Sequence, residues 1–117
     1  MTGDFILTLL HAATNTHLLH LQSRNYAEHM ALGAFYAALP DLVDVVAESI
    51  QGLEEKIIEY DYDYYRPAPT ALEELRSLKE YVSQKREYLP QNSEIQNSVD
   101  AIADLIDSTI YKLKFLK

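Results

Sequence analysis

Apolar residues recur along this chain at intervals of three and four, and no stretch sustains strand-like alternation, so the pattern predicts an all-α domain of four helices. The first helix is expected from about Asp4 to Gln22, with Leu9, Ala13, His17 and His20 along one face. The second should start near Asn25 and continue to about Tyr60 on a stripe of Leu32, Phe35, Leu39, Leu42, Val46, Ile50, Leu53 and Ile57. Pro40 falls inside that stripe. It removes one backbone donor and crowds the preceding turn, which predicts a kink, with a break into two helices as the alternative.

Arg66-Pro-Ala-Pro69 cannot continue a helix, because two prolines at alternate positions hold their predecessors extended. This marks the connection between helices two and three. Thr70 followed by Glu73 reads as a capping box, starting a third helix that carries Leu72, Leu75, Leu78 and Val82 and stops before Pro90. Ser93 with Gln96 repeats the signal. The fourth helix then bears Ile95, Val99, Ile102, Ile106, Ile110, Leu113 and Leu116, a stripe suited to a bundle core or a subunit interface.

A length of 117 residues, 48% of them hydrophobic and 24% charged, corresponds to one domain spanning 1–117 with one core and an ordinary globular composition. Without cysteine, a metal could be held only by His, Asp, Glu or Tyr. The apolar run Phe5 to Leu10 is too short to span a bilayer and is preceded by Asp4 instead of a basic flank, so the expectation is a cytoplasmic protein without membrane attachment. A formal charge of −8, with no Lys or Arg before Arg24, argues against DNA binding, which needs cations to neutralise phosphates. Acidity is compatible with attracting Fe2+ and equally with simple solubility.

The chemistry-bearing residues are His17, His29, Asp44 and Glu48. Imidazole nitrogens and carboxylate oxygens together suit iron, manganese or zinc, and Asp44-x-x-x-Glu48 puts two carboxylates on one helical face. Inward-projecting sets of this kind build dinuclear sites in helical bundles. The spacing resembles the ferroxidase signature of the Dps-type mini-ferritins over roughly His11 to Gly52. The run from His17 to His29 also resembles small ferritin-like proteins of unknown function encoded by tailed bacteriophages, through His-Leu-Gln-Ser and Tyr-Ala-Glu-His-x-Ala-Leu-Gly.

The resemblance implies a four-helix ferritin-like bundle with a crossover between helices two and three. It also implies a homo-oligomer, a dimer or larger, with an intersubunit di-metal site that binds iron and oxidises Fe2+ with peroxide or dioxygen. One chain would supply His17 and His29, and its partner Asp44 and Glu48. Leu18 stands where mini-ferritins usually have Trp, which puts oxidation rate more in doubt than binding. The short third and fourth helices suggest a small assembly.

His20 is a further candidate ligand, since His17-x-x-His20 shares a helical face; the alternative is a histidine serving the carbonyls at the helix end. Asp41 and Glu55 extend the carboxylate row, either as an iron path or as a solvated face. The segment Glu59 to Tyr65, with four tyrosines and three acids, is either a partner-binding edge or a cover for the bundle end. No nucleotide loop, nucleophile elbow or basic aromatic patch is present. Two functions remain: an iron-binding protein with ferroxidase chemistry, or a non-catalytic helical interaction protein on the same fold.

Overall fold

The structure, a computed structural model, describes residues 2–117. Four helices are formed, α1 (Thr2–Gln22), α2 (Tyr26–Glu54), α3 (Ala71–Lys85) and α4 (Ser93–Phe115), with a 3-10 turn at Arg86–Tyr88 and no strand among the described residues. Helix α1 packs on α2, α2 on α4, α4 on α3 and α3 on α1, so α2 and α3 lie on one diagonal of the bundle. The buried stripes are those that helical periodicity selects: Phe5, Ile6 and Leu9 from α1; Leu32, Phe35, Leu39, Val43, Val46 and Ile50 from α2; Leu75, Leu78 and Val82 from α3; Ile95, Val99, Ile102 and Ile106 from α4. Each large aliphatic or aromatic side chain removed from water contributes about 1.5–3 kcal/mol.

Helix α2 runs through Pro40 as one element, so the alternative of a break into two helices does not occur. It ends at Glu54, short of Tyr60, because Glu55 turns left-handed (φ 51°) and its N–H donates to the Gln51 carbonyl. The Gln51 side chain then accepts from the Ile58 N–H at 3.0 Å, drawing the chain away from the helix axis. Leu53 and Ile57 are consequently exposed instead of core. By length and composition α2 could cross a bilayer, yet its apolar stripe is the bundle core.

Thr70 caps α3 as expected, accepting from the Glu73 N–H at 3.2 Å. Ser93 does not cap α4; it is the first helical residue, after Asn92. Gln96 is committed elsewhere: its amide donates to the carbonyls of Arg86 and Pro90, and it accepts from Arg86 Nε at 2.9 Å. Arg86 also reaches Asp100, and Lys79 pairs with Asp107, tying α3 and α4 as an antiparallel hairpin.

The sixteen residues 55–70 between α2 and α3 carry no helix, yet they are anchored along the length of α1. Glu59 passes so close to Gly3 that a Cβ there would run into its carbonyl oxygen. Farther up α1, buried Asn15 donates to the Tyr65 carbonyl at 3.1 Å and accepts from the Tyr64 hydroxyl at 2.8 Å. Tyr65 donates to buried Glu74 of α3 at 2.9 Å, and Ala68 N–H donates to the other oxygen of that carboxylate at 2.9 Å. The tyrosine-rich segment therefore covers the side of the bundle through Tyr60 and Tyr65, while Tyr62 projects outward.

Two outcomes follow. Gly3→Ala should lower stability by about 1–3 kcal/mol in urea melts, since the linker must move to admit a methyl group. Burial, with the Glu74 carboxylate beside it, holds the Tyr65 hydroxyl well above the usual tyrosine range. A phenol that stays protonated when folded but ionises when unfolded stabilises fully below about pH 10, and that contribution is lost as pH rises above it. Tyr65→Phe should flatten this alkaline decline, while costing about 1–3 kcal/mol at neutral pH by removing one of the two donors to Glu74.

Candidate functional site

The turn between α1 and α2 brings the histidines together. Asn25 caps α2 by accepting from the Glu28 N–H at 2.9 Å, and Ser23 Oγ donates to Glu28 Oε2 at 2.5 Å, so only three residues separate the helices. His20 near the end of α1 and His29 in the first turns of α2 then stand face to face, ring centroids 3.7 Å apart and planes 17° from parallel. Each ring reaches the opposite backbone: His20 Nδ1 to the His29 carbonyl at 2.6 Å, and His29 Nδ1 to the His20 carbonyl at 2.9 Å. A carbonyl only accepts, so each Nδ1 carries a proton and, in the neutral rings, each Nε2 keeps its lone pair.

Gly33 makes the pair fit. A Cβ there would lie 3.1 Å from His20 Cε1. His17, one turn before His20, is exposed rather than aligned with the core face expected for it, and stacks on Tyr36 of α2 at 3.9 Å and 9°. The His20 ring meets both His17 and Tyr36 edge-on, at 6.0 and 5.2 Å. Tyr36 and Gly33 escaped the sequence reading, although His29, Gly33 and Tyr36 recur at the spacing of one helical face.

His20 thus serves carbonyls, as one of its alternatives had it, but it reaches across to α2 as well as belonging to the end of α1. Lone pairs lie in the ring plane, so two nearly parallel imidazoles 3.7 Å apart do not converge on one ion at the ~2.0–2.1 Å of a metal–nitrogen bond. The stacked pair therefore offers separate single-nitrogen ligands instead of a chelate.

Asp44 and Glu48 are exposed on α2. At 1.5 Å rise per residue they lie about 22 and 28 Å along the axis from His29. The chain unites His17, His20 and His29 and leaves the two carboxylates apart from them; among the described residues no group of three His, Asp or Glu could hold a metal ion. His11 packs edge-on against Tyr64.

The arrangement defines a four-helix bundle protein with a half-exposed histidine and tyrosine cluster on the outside of its first hairpin. The chain belongs to DUF5856, a family of unknown function, whose model matches residues 20–113. No curated protein and no solved structure matches it.

The tautomers are directly measurable. Long-range 15N–1H spectra near pH 8 should show His20 and His29 with a protonated Nδ1 and an unprotonated Nε2; the opposite tautomer at either residue would remove the reciprocal contact. Gly33→Ala should shift the His20 ring resonances, since the ring must give by a few tenths of an ångström, with the rest of the spectrum retained.

Proposed function

We propose that this protein is an iron-binding, ferritin-like protein whose site is completed by a second copy of the chain. The observation that carries the reading is the division of charge on the α1–α2 hairpin. From His11 to Pro40 lie all four histidines and only two formally charged residues, Arg24 and Glu28, whereas residues 41–63 hold eight carboxylates against Lys56. An antiparallel pair of hairpins sets the histidine end of each copy beside the carboxylate end of the other. Met30 and Val45, about half exposed at 53% and 50%, would then face each other across the pair, with the small exposed residues Ala34 and Ala37 near its centre. In that register His29 falls between Asp44 and Glu48 of the second copy. The hairpins α1–α2 and α3–α4 and the return of the linker along α1 support the ferritin-like crossover.

In this reading His17 and His29 supply neutral nitrogens, Asp44 and Glu48 supply oxygens, and His20 holds the His29 ring in its tautomer while keeping an Nε2 of its own. The donor set suits Fe2+ as substrate, with manganese or zinc as competitors. Oxidation would take one electron from each of two Fe2+ ions and deliver both, with two protons, to a peroxide, releasing two waters. The chain contributes placement and charge neutralisation. A cytoplasmic location accords with this chemistry.

The separation of Asp44 and Glu48 from the histidines also favours a second reading, a non-catalytic helical interaction protein, of phage origin by its resemblance. An anaerobic Fe2+ titration of wild type and Glu48→Ala, with light scattering on both, separates the two. The iron reading expects a dimer or larger, saturable binding, and rapid ferric absorbance on adding peroxide, with iron affinity falling at least about tenfold in the variant. A strictly monomeric wild type, or a folded wild type that binds no iron, would overturn it.

A further inference from the structure

Two exposed patches outside the α1–α2 face remain unaccounted for, at opposite ends of the molecule. The last turns of α4 present Tyr111, Phe115 and Leu116, with Phe115 66% exposed, among the exposed Lys114 and Lys117. Tyr111 and Phe115 touch at 5.9 Å, and Lys114 lies over the Phe115 ring at 5.8 Å, so the aromatic surface and the cations form one unit. At the other end, where α2 gives way to the linker beside the start of α1, Leu53, Ile57 and Tyr62 are exposed, Ile57 at 73%, among four carboxylates, Glu54, Glu55, Glu59 and Asp61, and one cation, Lys56. A concavity of about 500 Å³ opens there, walled by Glu54, Ile57, Glu59 and Asp61.

One patch is aromatic and basic, the other apolar and acidic. α4 runs parallel to α1: it is antiparallel to α3 through Lys79–Asp107 and Arg86–Asp100, and α3 is antiparallel to α1 through Phe5–Tyr81 and the Tyr81 hydroxyl on the Asp4 carbonyl. The patches therefore cannot meet within one chain. Each lacks a cover of its own, and each has the sign and the apolar surface the other needs.

We infer that the end of α4 docks onto the acidic end of α2 of another copy, a head-to-tail contact between unlike patches. Such a contact repeats: every copy has one of each patch, so assembly closes into a ring or grows as a filament. It involves none of the proposed iron ligands His17, His29, Asp44 and Glu48, nor His20, and stands whether or not that reading does. Apolar contact supplies attraction, while the opposed charges select orientation and weaken with salt.

The test mixes two charge-reversed proteins, Lys114→Glu/Lys117→Glu and Glu54→Lys/Glu59→Lys, all exposed positions, with circular dichroism to show that both are folded. Wild-type mass by light scattering should rise with protein concentration and fall in high salt. Each variant alone should self-associate at least about tenfold more weakly, because like charges then meet. An equimolar mixture should recover association through both heterologous junctions, since the reversed α4 end of one variant matches the reversed acidic end of the other and the two unaltered patches still match each other. A Met30→Glu variant removes any pairing along the α1–α2 face, and in that background the salt-dependent association and its rescue on mixing should persist. A wild-type mass independent of concentration and salt, a mixture that fails to associate, or binding of the α4 end to anionic phospholipid vesicles without self-association would each overturn the inference.

Discussion

The imidazoles of His20 and His29 each donate to the other residue's carbonyl, and the placement of α1 against α2 rests on that exchange. The His20 carbonyl is among the last four of α1, which have no partner within their own helix; it accepts from the Ser23 N–H at 3.4 Å, and the His29 ring supplies its second, shorter hydrogen bond. The two rings also stack, which fixes how far along α1 the second helix begins. A hairpin joined by three residues could slide or rotate by a fraction of a turn. Two directional hydrogen bonds and a ring stack remove that freedom, and the core stripes of α1 and α2 then face one another in a single register.

A second set of polar contacts holds the long linker. Burying Glu74 would be costly for a lone carboxylate, but donors from Tyr65 and from the Ala68 backbone reach its two oxygens. Asn15 does the same for Tyr64 and the Tyr65 carbonyl from the α1 side. An irregular segment of this length pays a large entropic cost to be ordered, which apolar contact through Ile58, Tyr60 and Tyr65 alone offsets poorly. The polar contacts specify one path for it, and that path determines the end at which α3 begins.

These constraints have a functional consequence. By consuming Nδ1 of both rings, the clasp leaves the histidine cluster neutral-nitrogen chemistry on the outside of the bundle, far from the carboxylates of the same helix. A single chain displays imidazoles and carboxylates at two separate places, and its charge is distributed in the same sense. Both proposed associations, along the α1–α2 face and between the ends of the molecule, rest on this separation of unlike surfaces.

Periodicity alone determined the number of helices, most of the buried stripe and the Thr70 cap, because these depend on neighbours three and four residues away. The residue types and spacing of His17, His29, Asp44 and Glu48 were likewise legible, as was the resemblance they carry. What the tertiary structure decided were contacts between residues distant in sequence or competing for one partner. Gln96 serves Arg86 and Pro90 instead of completing a cap, Gln51 captures Ile58 and ends α2 early, and Asn15 and Glu74 interrupt apolar stripes because the linker brings tyrosines to them. His17 turned outward onto Tyr36 for the same reason: a helical pattern says which residues share a face, but only packing says which face a neighbouring helix will cover.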